Sequence, residues 1–166
     1  MLAAMSDTAR LAGFFAAHGI WNVSDGGPLI PMLGYEQADG SRGMQRFALD
    51  ELADAARAGQ DALHRNTHRA ARAALVFDGY IHLEAGRTDA LIVEAVDYAG
   101  SRSFTVAVPY RPQQSPHGFA VHRPKFLAAA GIDNTDYQAL ADAFFAGIDS
   151  HEQAATVWNE HLDQAV

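Results

Sequence analysis

Cysteine is absent from the 166 residues, so disulfides, thiolate metal sites and cysteine nucleophiles are all excluded. Lysine is almost absent: Lys125 stands alone, in "HRPKF", and leaves Schiff-base chemistry a single candidate in what reads as an exposed loop. There is no uninterrupted apolar run near the ~20 residues needed to span a bilayer, and no basic leader precedes the apolar N-terminal stretch. A cytoplasmic protein is therefore expected. The dinucleotide fingerprint Gly-x-Gly-x-x-Gly, a phosphate loop ending in Gly-Lys-Ser/Thr and the Gly-x-Ser-x-Gly elbow are all missing, and "SDGGP" reads as a turn.

What is present suits one globular domain. Hydrophobic residues make up 49% and charged residues 19%, enough apolar matter for a core and too little charge for a disordered chain. The net charge is −8, unevenly spread. Residues 57–72 carry four arginines against Asp61, a local +3, whereas residues 126–166 carry seven acidic residues and no Lys or Arg. These two stretches are free to attract each other. The balance argues against nonspecific binding to nucleic acid or to an anionic membrane, and favours a protein partner with a basic surface.

Periodicity predicts an α+β fold: an antiparallel β-meander sheet of about five or six strands, packed by one long helix, with helices at both termini. A first helix starting near Ser6 or Asp7, or a little earlier, carries Leu11, Phe14 and Phe15 on one face and stops at Gly19, which puts His18 in its last turn. Two arms around "ADGSRG" form a peripheral hairpin, with Pro31 limiting the first arm to a sheet edge or a strand end. A helix over 51–71 is capped by Asp50. The meander follows, with Leu75, Phe77, Ile81 and Leu83 on one face of its first arm and Phe104, Val106, Val108 and Tyr110 on one face of its third, both facing the helix; Gly79 marks a bulge or the close passage of that helix. "PQQSPHGFAVHRPKF" is a loop with one short strand at 118–122. Two C-terminal helices start at capping boxes with Thr135 and Ser150 as N-caps, and bury Phe144 and Trp158.

Two clusters invite chemistry. In "DALHRNTHRAAR", Asp61, His64 and His68 share a helix face, but Zn2+ needs three or four ligands, and Arg65 stands where the His-Glu-x-x-His pattern requires glutamate. That face is expected to be solvated, with an Asp61–Arg65 pair and no metal. The second cluster is Asp78, Tyr80 and His82 on the outer face of the meander's first arm. If the turn after Glu84 has an odd number of residues, Ile92, Glu94 and Val96 lie beside them; an even turn separates the group. Asp78, His82 and Glu94 are thus the candidate catalytic set of a small hydrolase or lyase, with a divalent ion as an optional addition.

The leading expectation is a non-catalytic binding or interaction module of adaptor, chaperone-like or inhibitor type, with no cofactor. A homodimer through the outer sheet face is a second expectation, motivated by Tyr80, Ile92 and Val96 on that face, with Arg111 available to offset its carboxylates.

Overall fold

A computed structural model describes residues 2–132 and 137–166. The elements run α1 (Leu2–Val23), β1 (Met32–Glu36), β2 (Arg42–Arg46), α2 (Leu52–Arg65), β3 (Arg72–Leu83), β4 (Gly86–Asp97), β5 (Arg102–Arg111), β6 (Ala120–Val121), β7 (Lys125–Ala130), α3 (Tyr137–Asp149) and α4 (Glu152–Glu160). The fold is α+β, with an antiparallel sheet and helices at both termini. Among the described residues, no helix is long and apolar enough to cross a membrane.

The sheet order is β2-β1-β3-β4-β5-β6, with β7 also paired to β5. Strands β6 and β7 follow one another along the same edge of β5, so the seven strands occupy six lanes. The meander β3-β4-β5 forms as expected. So does the β1–β2 hairpin, with Pro31 just ahead of β1 and β2 at the sheet edge. Strand β7 was not legible beforehand. It pairs with β5 through a register shift at Thr105/Val106, and this is where the sheet bulges; Gly79 sits in unbroken register opposite Ala90, close to the Ile92 side chain.

The two faces of the sheet are covered differently. In antiparallel pairing, directly opposed residues share a face, so Ala74, Val76, Leu91, Val93, Phe104, Val106, Val108 and Tyr110 all lie on one side, under α1. Leu33, Ala73 and Leu75 lie on the other side, under Phe47 and the Ala55, Ala62 and Leu63 stripe of α2. The expectation that the Leu75 and Phe104 sets face one helix is therefore corrected. Parity across the β4 strand sends them to opposite layers.

Helix α1 does not stop at Gly19 but runs on to Val23. Glycine there serves packing: a Cβ would press on Leu91 and Val76, so its absence lets the helix lie close on the sheet. The opposite flank of α1 is covered by α3 and α4. The α1–α3 crossing is close enough that a methyl group at Gly13 would collide with the Phe144 carbonyl, and one at Gly147 with the Arg10 carbonyl. Leu11, Ala12, Phe15, Ala16 and Ile20 are consequently buried together with Phe144, Ile148 and Trp158 in one core.

Helix α2 is shorter than the expected 51–71. Its N-cap is Glu51, without a side-chain cap bond, and Asn66 in the left-handed region ends it, its backbone N–H returning to the Ala62 and Leu63 carbonyls. The N-cap of α4 is His151 rather than Ser150, with Nδ1 accepting from the Ala154 N–H at 3.2 Å; the Ser150 hydroxyl bonds back to the Gly147 carbonyl. The Thr135 cap lies outside the described residues. Arg57 pairs with Asp54 and Arg65 with Asp61 along the chain, and Arg72 with Glu36 and Asp7 across the fold; among the described residues the basic stretch forms no ion pair with the acidic C-terminal stretch.

The crossing yields a prediction of sign. In a free helix, Gly→Ala gains about 1 kcal/mol. Gly147→Ala is expected to destabilise the domain by roughly 1–3 kcal/mol, because packed backbone must move. Urea denaturation measures this, and a rise in the unfolding midpoint would contradict the close crossing.

Candidate functional site

The residues singled out from the sequence do not converge. Leu83 pairs with Gly86, so the β3–β4 turn holds two residues, an even number. Leu75 then opposes Glu94, Phe77 opposes Ile92, and Asp78 opposes Leu91. Glu94 is on the α2 face, where it accepts from Gln60 Nε2 at 3.1 Å, while Asp78 and His82 are on the other. His82 lies four residues along the strand from Asp78, about 13 Å at ~3.3 Å per residue. Tyr80 stays on the Asp78 face, half exposed and stacked by the Arg87 guanidinium 4.0 Å from its ring centre, and does not share a surface with Ile92 and Val96. The patch from which a dimer was expected is thereby divided between two faces.

Asp78 instead meets Tyr110, whose hydroxyl donates to Oδ1 at 2.8 Å, in a small cavity of about 260 Å³ bounded by the Gly26–Pro28 loop. Desolvation raises the Asp78 pKa, the Tyr110 bond opposes that, and nearby Asp89 adds to it. Tyr110 is pushed well above the ordinary phenol range by burial and by the Asp78 charge.

His64 and His68 part company as well. Because α2 ends at Arg65, His68 lies beyond the helix, stacked on Tyr35 at 3.9 Å between ring centres and bonded through Nε2 to Gln45 Oε1 at 2.7 Å. His64 remains exposed on the helix. Among the described residues, no group of three or more His, Asp or Glu is placed to hold a metal ion.

An open cavity lies elsewhere, between α1, the edge strand β2 and the start of α4. Its volume is about 530 Å³, and its wall includes Phe14, Phe15, His18, Trp21, Arg42, Met44 and His151. Phe14, His18 and Trp21 follow one another at i, i+4 and i+7 along one face of α1. Into that face projects His151, which is only 7% exposed, with its ring centre 4.8 Å from Phe14, 5.1 Å from His18 and 5.6 Å from Trp21. From the sheet side, the Arg42 guanidinium lies 5.1 Å from the centre of the Phe14 ring and bonds through Nε to Glu36 at 2.6 Å.

His18 Nδ1 and His151 Nε2 are 2.9 Å apart. The hydrogen-bond network assigns the tautomers of this pair. His151 Nδ1 accepts the Ala154 N–H, so its proton resides on Nε2 and is donated to His18 Nδ1. His18 must then carry its own proton on Nε2, a buried atom without a partner. Such an orphaned donor costs about 1–3 kcal/mol. Both rings are held neutral below the ordinary value. Burial is the main cause for each, and for His18 the charges of His151 and Arg46 add to it.

Gly19 reads as a helix stop that would put His18 in the last turn, whereas α1 continues to Val23 and His18 lies within it. The only local signal was the Phe14-His18-Trp21 spacing. Nothing near His151 in sequence points to its pairing with His18, which is 133 residues away.

Two pH responses follow. Below the ordinary histidine value of 6.5 the unfolded chain protonates before the folded pair does, so the pair's contribution is complete above about pH 6.5 and is lost as pH falls toward the lowered folded values. A variant carrying His18→Phe and His151→Asn, the latter keeping an N-cap acceptor, is expected to lose less thermal stability than wild type between pH 7.5 and 5. Equal losses would contradict a neutral pair. Asp78 has the opposite sign: its raised pKa makes the ionised form unfavourable in the fold, so Asp78→Asn is expected to raise the melting temperature at pH 7–8, with the gain shrinking toward pH 4. Comparison with family models, with curated proteins and with solved structures finds no match for this chain.

Proposed function

We propose that this chain is a non-catalytic binding module and that its ligand site is the cavity shared by α1, β2 and α4. One observation carries the reading: both Nδ1 lone pairs of the His18–His151 pair are consumed, one by the Ala154 N–H and one by the partner imidazole. A general base needs a free lone pair within reach of the proton it takes, and this pair retains only a donor. The hydroxyl of Ser150, the nearby nucleophile candidate, is directed to the Gly147 carbonyl at 2.6 Å rather than to an imidazole. What the cavity offers is recognition by its aromatic walls, with the His18 Nε2 donor buried behind them.

The volume and the apolar walls support that role, since small-molecule sites commonly hold about 300–1,000 Å³ with a few polar groups, and this one is a groove open to solvent. The hydrolase or lyase alternative loses its support in the strand register, which puts Glu94 on the far side of the sheet from Asp78 and His82. A basic protein partner rests on net charge alone and gains no residue-level support from this cavity.

Long-range 1H–15N NMR at pH 7.5 tests the assignment. Both His18 and His151 are expected as Nε2–H tautomers, with the His18 Nε2 proton slow to exchange. A His18 ring carrying its proton on Nδ1, with Nε2 bare, would supply the missing base and overturn the non-catalytic reading.

A further inference from the structure

We infer that the ligand of this cavity is an extended peptide segment of another protein, which adds as an antiparallel strand to the open edge of β2, places an apolar side chain against Phe14, Trp21 and Met44, and carries an acidic residue opposite Arg46. The inference rests on the binding-site reading above and names the ligand's class. Main-chain hydrogen bonds hold the added strand, and the cavity receives one of its side chains.

Strand β2 ends the sheet on its side and pairs with β1 alone. The backbone bonds that flank this pairing fix its phase: Gln37 donates to the Ser41 carbonyl at 2.8 Å, and Phe47 to the Pro31 carbonyl at 2.9 Å. Bonded pairs alternate with unbonded ones along an antiparallel ladder. Gly43 and Gln45 therefore turn their N–H and C=O groups toward β1, and Arg42, Met44 and Arg46 turn theirs away from it. Among the described residues no backbone group bonds to these outward N–H and C=O groups. The register is unbroken from Arg42 to Arg46, and β2 contains no proline. The opposite edge of the sheet is divided between β6 and β7 and shifts register at Thr105/Val106, an irregularity of the kind that discourages edge pairing. The β2 edge has no such interruption.

Opposed residues share a face, so the residue of an added strand opposite Met44 points to the α1 side, about 4.8 Å beyond β2. The cavity opens there, with Trp21 and Met44 exposed beside it, and an apolar side chain covers both. Charge selects the strand. Arg42 belongs to a balanced group with Arg72, Glu36 and Asp7, whereas none of the ion pairs among the described residues includes Arg46. A second copy of β2 would bring Arg42 and Arg46 of both chains together, and like charges across a strand pair repel. A foreign strand with an acidic residue opposite Arg46 meets that charge at the exposed rim, outside the cavity wall. Because the added strand runs against β2, its acidic residue comes two places before its apolar one.

The test uses the whole chain and the capped peptide acetyl-Thr-Glu-Thr-Phe-Thr-Ser-Thr-amide. Trp21 borders the cavity and Trp158 is buried in the core, so Trp21 fluorescence reads occupancy. The peptide is expected to bind about tenfold or more tightly than N-acetylphenylalaninamide, which has the side chain but no strand. A methyl group on the phenylalanine nitrogen removes the N–H that donates to the Met44 carbonyl and is expected to weaken binding about tenfold. The same group on the nitrogen of the threonine that follows, which faces away from β2, is expected to leave binding unchanged. Amide exchange at Arg42, Met44 and Arg46 is expected to slow in the complex, with Gly43 and Gln45 unaffected. Arg46→Gln is expected to weaken the peptide severalfold and to leave unchanged a peptide with glutamine in place of its glutamate. Equal affinity for the peptide and N-acetylphenylalaninamide, equal losses from the two methyl groups, or an Arg46→Gln variant that binds the peptide like wild type would overturn the strand inference and leave the cavity as a binding site. No response of Trp21 to any probe up to about 10 mM, weaker than the millimolar range of the feeblest specific complexes, would overturn both.

Discussion

The structure depends on the burial of α1 on opposite flanks. A terminal helix ordinarily shows one apolar face and one wet face, but here the sheet takes one side and the α3–α4 pair takes the other. This explains why Leu11, Ala12, Phe15, Ala16, Ala17 and Ile20 are all buried although they cannot share one stripe. It also explains the small residues at the contacts: Gly19 against the sheet, and Gly13 with Gly147 at the crossing with α3. Remove the close approach and the C-terminal helices no longer seat on α1, which opens the core at Phe144 and Trp158.

The same geometry creates the cavity. Near its C-terminal end α1 is flanked by the edge strand β2 and by the junction between α3 and α4, and these do not meet. The gap is lined by whatever residues α1 presents there, namely Phe14, His18 and Trp21. Because the α3–α4 junction is held in place by the helix crossing, His151 is brought into contact with a stripe to which it is unrelated in sequence. Its imidazole then serves two purposes, closing the first turn of α4 through Nδ1 and fixing the orientation of His18 through Nε2. A polar network at the edge of an apolar core is costly when only part of it is satisfied, and the unpaired His18 Nε2 is the incomplete part here.

The other side of the sheet is built differently. Helix α2 covers β1 and β3 through Leu33, Ala73 and Leu75, and Tyr98 secures the helix end by donating its hydroxyl to the Leu63 carbonyl. Burial of that phenol pushes its pKa up to about 12, so the bond persists across the ordinary pH range. Further along this face, Ile92, Glu94 and Thr105 are half-buried, and Glu94 reaches α2 through Gln60. Layer order, α2 on one side of the sheet and α1 with α3 and α4 on the other, is what assigns each strand residue to a helix.

By itself, the sequence determined the elements whose signals are local. Alternating apolar residues separated by Gly-containing turns specified the meander, Pro31 set the beginning of β1, and the absence of cysteine closed off a range of chemistries. The Asp61–Arg65 pair was legible because four-residue spacing on a helix is itself a distance. Only the tertiary structure decided the rest. One residue of turn length between Leu83 and Gly86 reverses which side chains share a face, and it sent Glu94 away from Asp78 and His82. Gly19 reads locally as a helix stop, yet packing against Leu91 and Val76 makes it a helix-interior residue. The pairing of His18 with His151 depends on where two helices cross, a long-range consequence of shape that no spacing along the chain encodes.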